Sequence, residues 1–153
     1  MDRPTWDQYF MELTEIVATR STCLQEQMGT VLVREKRVLT TGYNGAPAGM
    51  KHCEEVGCLR EGLPPDQEAE LCRGLHAIQN AIIQGAVSGV PIKGSVLYTT
   101  HAPCITCTKM LINSFVTNII SLRDYPRPLT TTDQLAVDML EEAGIEMKVV
   151  GSD

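Results

Sequence analysis

No stretch of this 153-residue chain approaches the run of uninterrupted apolar residues needed to cross a bilayer. The opening Met1-Asp2-Arg3-Pro4 does not begin a signal peptide, so a cytoplasmic protein is expected and a membrane partner is not. Positive charge is short as well: 13 Lys and Arg face 19 Asp and Glu, a net charge of −6. That balance weighs against a strongly electrostatic nucleic-acid binder and favours a small-molecule partner. Repeats, low-complexity tracts and domain linkers are missing too. The length, with 43% hydrophobic residues, fits one domain spanning 1–153. A further absence is local: no Asp or Glu lies between Cys72 and Asp124.

Six cysteines are present, and without a signal peptide that number points to metal ligation rather than a disulfide framework. Thr5 and Gln8 form a capping-box pattern. Trp6, Tyr9, Phe10, Leu13, Ile16 and Val17 then recur at helical spacing up to about Arg20. The β-branched runs Thr30 to Arg34 and Val38 to Thr41 flank Glu35-Lys36-Arg37 and read as a hairpin, ending in the glycine loop Gly42-Tyr43-Asn44-Gly45. Ala48 to Arg73 reads as an irregular segment, too long for an ordinary connection. Helices are expected over Leu75 to Val87, Cys104 to Ser114 and Thr131 to Ala143, the last stopped by Gly144. Strands are expected over Ser95 to Thr99, Val116 to Leu122 and Ile145 to Val150. For the helix after Leu75 the predicted apolar side is Leu75, Ile78, Ala81, Ile82, Ile83 and Ala86. This order predicts an α/β protein with a mixed five-stranded sheet, an antiparallel opening hairpin and then crossover units giving parallel pairing, in three α/β/α layers.

His76 opens one helix, and Cys104 and Cys107 share a face at the start of another, just after Pro103. Three such ligands leave one tetrahedral position of a zinc ion open, as in catalytic sites, and the helix N-terminus favours thiolates. The bland alternative is a Cys-x-x-Cys redox pair with an unrelated histidine; the upstream His on its own helix and the intervening strand favour zinc. Zinc deaminases of nucleobases carry His-x-Glu followed by Pro-Cys-x-x-Cys, the Glu moving protons. Here every metal ligand of that pattern is present, but the residue at the Glu position is Ile78.

From about Trp6 to Val150 the chain resembles the deoxycytidylate (dCMP) deaminase family of the cytidine deaminase-like fold. The resemblance is carried by Arg20-Ser21-Thr22-Cys23, Gly42-Tyr43-Asn44-Gly45-Ala46-Pro47, the His76 helix, Pro103-Cys104-Ile105-Thr106-Cys107 and Asp124-Tyr125. It implies zinc-dependent hydrolytic deamination of dCMP to dUMP in pyrimidine deoxynucleotide metabolism. It also implies Asn44 on the deoxyribose 3′-hydroxyl, and an effector site for dCTP or dTTP at Tyr43, Asn44 and Gly45 beside a subunit interface. A homo-oligomer, often a hexamer, is common in the family. Some members hold a second, structural zinc where Cys23 and Cys53 fall; with Cys58 and Cys72 four thiols are available, and His52 is a possible substitute for one of them.

From the residues alone, Asn44 reads equally as a turn residue. Ala77 and Pro103 lie beside the metal ligands as base-contacting positions. Tyr125 is either a stacking platform or a strand-end packing residue. A nucleotide needs a phosphate partner, for which Arg20, Arg123 and Arg127 are candidates, Arg20 first. His101 matches no ligand position. Ile78 has no titratable atom, so activity near background is expected, general acid–base catalysis being worth about 10²–10⁴-fold. Three origins stay open: engineered inactivation, a natural non-catalytic nucleotide-binding or regulatory protein, or takeover by another acid.

Overall fold

The computed structural model describes residues 2–64 and 67–151. Helix α1, Trp6–Ala18, starts where Thr5 Oγ1 accepts from the Gln8 N–H and the Gln8 side chain accepts from the Thr5 N–H, the reciprocal capping box of the sequence pattern. Its buried face is Phe10, Met11, Thr14 and Ala18, whereas Trp6, Tyr9 and Ile16 are exposed. The expected apolar stripe is therefore displaced by about one residue. Buried Thr14 is accommodated because its hydroxyl donates to Phe10 O at 2.7 Å.

Strands β1, Gly29–Arg34, and β2, Arg37–Tyr43, form the expected hairpin. Its turn is the two residues Glu35 and Lys36, with φ of +51° and +58°, so Arg37 belongs to β2. After β2 come a four-residue helix α2, Cys53–Val56, and a 3₁₀ turn, Ala69–Leu71. Both fall in the segment expected to be irregular. Helix α3, Ala77–Ser88, leads to β3, Val96–His101; α4, Ile105–Asn113, leads to β4, Asn118–Arg123; α5, Thr131–Ala143, leads to β5, Glu146–Val149.

The sheet order is β2-β1-β3-β4-β5. Strand β3 enters beside β1 rather than beside β2 and is therefore antiparallel to its neighbour; β3, β4 and β5 are mutually parallel, as the crossover helices require. Side chains alternate between two cores. Val31, Val33 and Tyr98 pack with Phe10 and Met11 of α1, while Leu32, Leu97 and Ile119 pack with Ile78, Cys107, Leu111 and Leu140 of α3, α4 and α5. The three layers are thus α1, the sheet, and the other long helices.

On α3 the buried residues are Ala77, Ile78, Ala81 and Gly85; Ile82 is partly buried, and Ile83 and Ala86 face outward, correcting the broader apolar side. Gly42 of β2 lies against that helix: a Cβ there would fall on Ala77 O and 2.6 Å from Ala81 N. Among the described residues no helix is long and apolar enough to cross a membrane.

Candidate active site

His76 is the N-cap of α3. Its N–H is accepted by Gln79 Oε1 at 2.9 Å, and an isolated bridge between Gly45 and Leu75 holds the preceding residue, with Leu75 N to Gly45 O at 2.8 Å. Cys104 is the N-cap of α4, its sulfur accepting the Cys107 N–H at 3.5 Å. These two helix starts bring His76 Nδ1 to 3.3 Å from Cys107 Sγ and 3.5 Å from Cys104 Sγ. Among the described residues this is the one group of three or more His, Cys, Asp or Glu whose ligand atoms all lie within 4.8 Å of one another. Cys107 is buried, Cys104 half-buried and His76 exposed, so the cluster opens outward on the histidine side. One imidazole and two thiols suit zinc and leave a fourth tetrahedral position free.

The electrostatics follow from that packing. A hydrogen bond from the Cys107 thiol is the largest cause holding Cys104 down at about 4, with His76 and the Cys107 backbone N–H also favouring the thiolate against burial. Cys107 is pushed far up by sharing that hydrogen bond, by burial and by the negative charge of Cys104; the Gln79 backbone opposes the shift. The bond to Cys104 raises His76, against its own partial burial. The metal-free cluster is therefore a thiolate, a thiol and a basic imidazole.

Ile78 is 5% exposed and packs with Leu32, Ala81, Leu97 and Cys107 in the larger core. Ala77 and Pro103 are buried beside the ligands. The Tyr125 hydroxyl donates to Pro103 O at 2.6 Å, and burial pushes its phenol up, so its ring is a packed tether of the ligand loop. Asn44 donates through Nδ2 to Glu26 O at 2.9 Å and accepts the Met28 N–H through Oδ1 at 2.8 Å. Its amide fastens the segment before β1, the turn-type role left open by the sequence, with one N–H and one lone pair remaining. Tyr43 and Gly45 flank it, Tyr43 O accepting from Asn80 Nδ2 at 2.7 Å.

Arg20 is exposed in the turn after α1 and makes no side-chain hydrogen bond or ion pair among the described residues. Arg127 pairs with Asp124 at 3.5 Å. Arg123 and His101 instead meet Glu26, a residue without any local sequence signal because its partners are 75 and 97 positions away. Gln79 caps His76 from only three positions on, a local capping-box contact rather than a long-range one.

The other four cysteines converge without closing. Cys53 is raised by burial and then by Cys58, Cys23 and Cys72, with Arg73 opposing. Thr22 Oγ1 lies 3.0 Å from His52 Nδ1, which engages the imidazole and draws the Cys23 and Cys53 segments together. No three of these sulfurs join a group within the 4.8 Å that the first cluster satisfies.

The family model for the cytidine and deoxycytidylate deaminase zinc-binding region matches residues 4–122. ComE operon protein 2 of Bacillus subtilis (strain 168) is 37% identical over 100% of this chain and 75% of its own length. Deoxycytidylate deaminase of Schizosaccharomyces pombe is 34% identical over 95% of this chain, which spans only 44% of that protein. The crystal structure of dCMP deaminase from the cyanophage S-TIM5 in complex with dCMP and dUMP is 29% identical with a TM-score of 0.76, covering 98% of this chain and 100% of that one. Matched by that family model over residues 4–122 and 37% identical to a relative of which it spans 75%, the chain belongs to the cytidine and deoxycytidylate deaminase family.

Proposed function

We propose that the pocket at the starts of α3 and α4 binds zinc and a deoxycytidine nucleotide, dCMP in the first instance, and that Ile78 leaves its deamination to dUMP severely impaired. The His76, Cys104 and Cys107 cluster is the observation that carries this reading, and the likeness to a phage enzyme described in complex with dCMP and dUMP supports the substrate. A zinc ion held there supplies the Lewis acidity that activates water near neutral pH. The chain's own residues do the rest. Gln79 and the Gly45–Leu75 bridge orient His76, and Tyr125 fixes the loop before Cys104. Asn44 retains an N–H for a sugar hydroxyl.

Removing the cytosine amine requires a proton at ring N3 and another on the departing nitrogen. Ile78 moves neither. Restoring Ile78→Glu is expected to raise dUMP formation by about 10²–10⁴-fold, the usual worth of a positioned acid–base group. Absence of recovery in folded, zinc-loaded protein would show that the chain is no disabled deaminase. The second reading, a nucleotide-binding or regulatory protein without catalysis, is favoured by the close packing of Ile78 in an apolar core. It predicts dCMP binding with no turnover in either form.

The same reading assigns Tyr43, Asn44 and Gly45 to a dCTP or dTTP effector site in a homo-oligomer, and residues 1–153 to one domain in the cytoplasm. It assigns Cys23, Cys53, Cys58 and Cys72 to a second, structural zinc. Four thiols suit a closed structural site, although their sulfurs must draw closer to form one.

A further inference from the structure

The net charge of −6 conceals a local excess of the opposite sign. At the end of the sheet away from the metal cluster, cations and exposed rings are linked into one belt. Strand β3 leaves this end at Val96 and reaches the other at His101, three residues before Cys104. The belt begins at α1, where Arg3, Trp6 and Tyr9 line an open cleft of about 390 Å³. Lys36 of the hairpin turn lies over the Trp6 ring, its Nζ 5.2 Å from the centroid, and Arg34 and Arg37 flank that turn as register partners. Arg34 Nη1 donates to Pro91 O at 2.9 Å and to Lys93 O at 2.8 Å, and Lys93 Nζ lies 4.9 Å from the centroid of Phe115. Arg3, Lys36, Arg37 and Lys93 are exposed and make no ion pair among the described residues. Asp2 and Glu35 stand beside them, while Asp7 is engaged by Tyr98 and Lys148.

Stability alone does not account for these residues. A two-residue turn at positive φ favours Asn-Gly, yet Glu35 and Lys36 stand there at +51° and +58°, with the like charges of Arg34 and Arg37 directly opposite each other behind them. Phe115 takes φ +60°, a strained setting for a bulky side chain, and at 61% exposure little burial offsets it. Each cation–ring contact thus has one member in the left-handed region. The Trp6 ring is held in place: it stacks on Phe10, centroids 5.7 Å apart and planes 18° from parallel, and meets Tyr9 at 5.9 Å and 80°. Fixed aromatic faces interleaved with unpaired cations fit a chain of phosphates whose bases are free to stack, which a duplex does not offer. A ring packed along its own helix is poorly placed to enter an acyl layer, which disfavours a membrane.

We propose that this belt binds single-stranded nucleic acid, with phosphates meeting Arg3, Lys36, Arg37 and Lys93 and bases stacking on Trp6 and Phe115. The interaction needs neither zinc nor the nucleotide pocket. Trp6 is the one tryptophan of the chain, so its fluorescence reads the belt directly. The probe is a single-stranded oligothymidylate, which brings no cytosine amine to the pocket. It should quench Trp6, and a fluorescein-labelled copy should gain anisotropy with the same affinity. With about four phosphates neutralised, that affinity should fall about 50-fold between about 50 mM and about 200 mM salt. Lys36→Gln combined with Lys93→Gln should make the salt dependence about half as steep. Phe115→Gly removes a ring and relieves its backbone, so it should melt no lower than the parent yet bind about 5- to 150-fold more weakly. No quenching at low salt, parent affinity in Phe115→Gly, an unaltered salt slope in the double variant, or equal binding of a duplex of the same length would each overturn the proposal. So would quenching by phosphatidylserine vesicles in place of the oligonucleotide, which would make the belt a membrane face.

Discussion

Cys104 and Cys107 are one kind of side chain three positions apart, and their surroundings drive them in opposite directions. Cys104 sits at the helix start and receives hydrogen bonds; Cys107, a turn inward, is buried and donates. Because the lowered value favours the folded thiolate, its contribution to the metal-free fold is complete above the ordinary 9.0 and is lost as pH falls through about 4. Alkylation of metal-free protein, followed by mass spectrometry of each cysteine, should therefore show a Cys104 rate nearly flat from about pH 5 to 8, while an ordinary thiol's rate rises about tenfold per unit. Zinc should abolish the Cys104 reaction. A Cys104 rate that climbs with pH in step with exposed Cys72 would contradict the arrangement. That His76, Cys104 and Cys107 could share one metal was legible because metal chemistry admits few residue types at that spacing. The thiolate's preference was not, since it depends first on the buried Cys107 thiol donating to Cys104, and then on a histidine 28 positions away.

At the scale of elements, α5 was readable to the residue from its Gly144 stop, which takes the left-handed end at φ +71°, and the structure adds the capping box of Thr130 with Asp133. Helix α2 and the 3₁₀ turn were not, because segments of four and three residues hold no hydrophobic period. The buried faces of α1 and α3 were only approximately readable: a repeat near 3.6 tolerates a shift of one residue until a sheet decides which side it meets. Helix α3 meets its sheet through Gly42, which allows the β2 backbone to approach Ala77 and Ala81 just after His76. Gly42→Ala is expected to cost about 1–3 kcal/mol or more through overpacking, read as a lower thermal midpoint. It should also weaken zinc binding in a competition with a colorimetric chelator, because the start of α3 must move. A variant that melts with the parent would mean that the two elements separate without cost.

For the whole molecule, a metal held by His76, Cys104 and Cys107 would tie the starts of two helices on one side of the sheet, while α1 closes the other side with a separate core. Metal analysis of carefully loaded protein is expected to find two zinc ions per chain, one at His76, Cys104 and Cys107 and one among the four remaining thiols. One ion would remove the structural site and leave the first in place. Chelation should lower the thermal midpoint, since ligand binding to the folded state alone stabilises it by mass action. The sequence by itself determined the α/β class, the opening hairpin, the order of helices and strands, and the residue types that could hold zinc. Each of these is written in short-range pattern: periodicity, caps, β-branched runs and ligand spacing. Only the tertiary structure decided that β3 lies between β1 and β4, that Ile78 and Tyr125 are packed inward, that Asn44 secures the segment before β1, and that Glu26 draws His101 and Arg123 together. Those outcomes join residues tens of positions apart, and they are selected by which buried faces and polar groups find partners when the layers close.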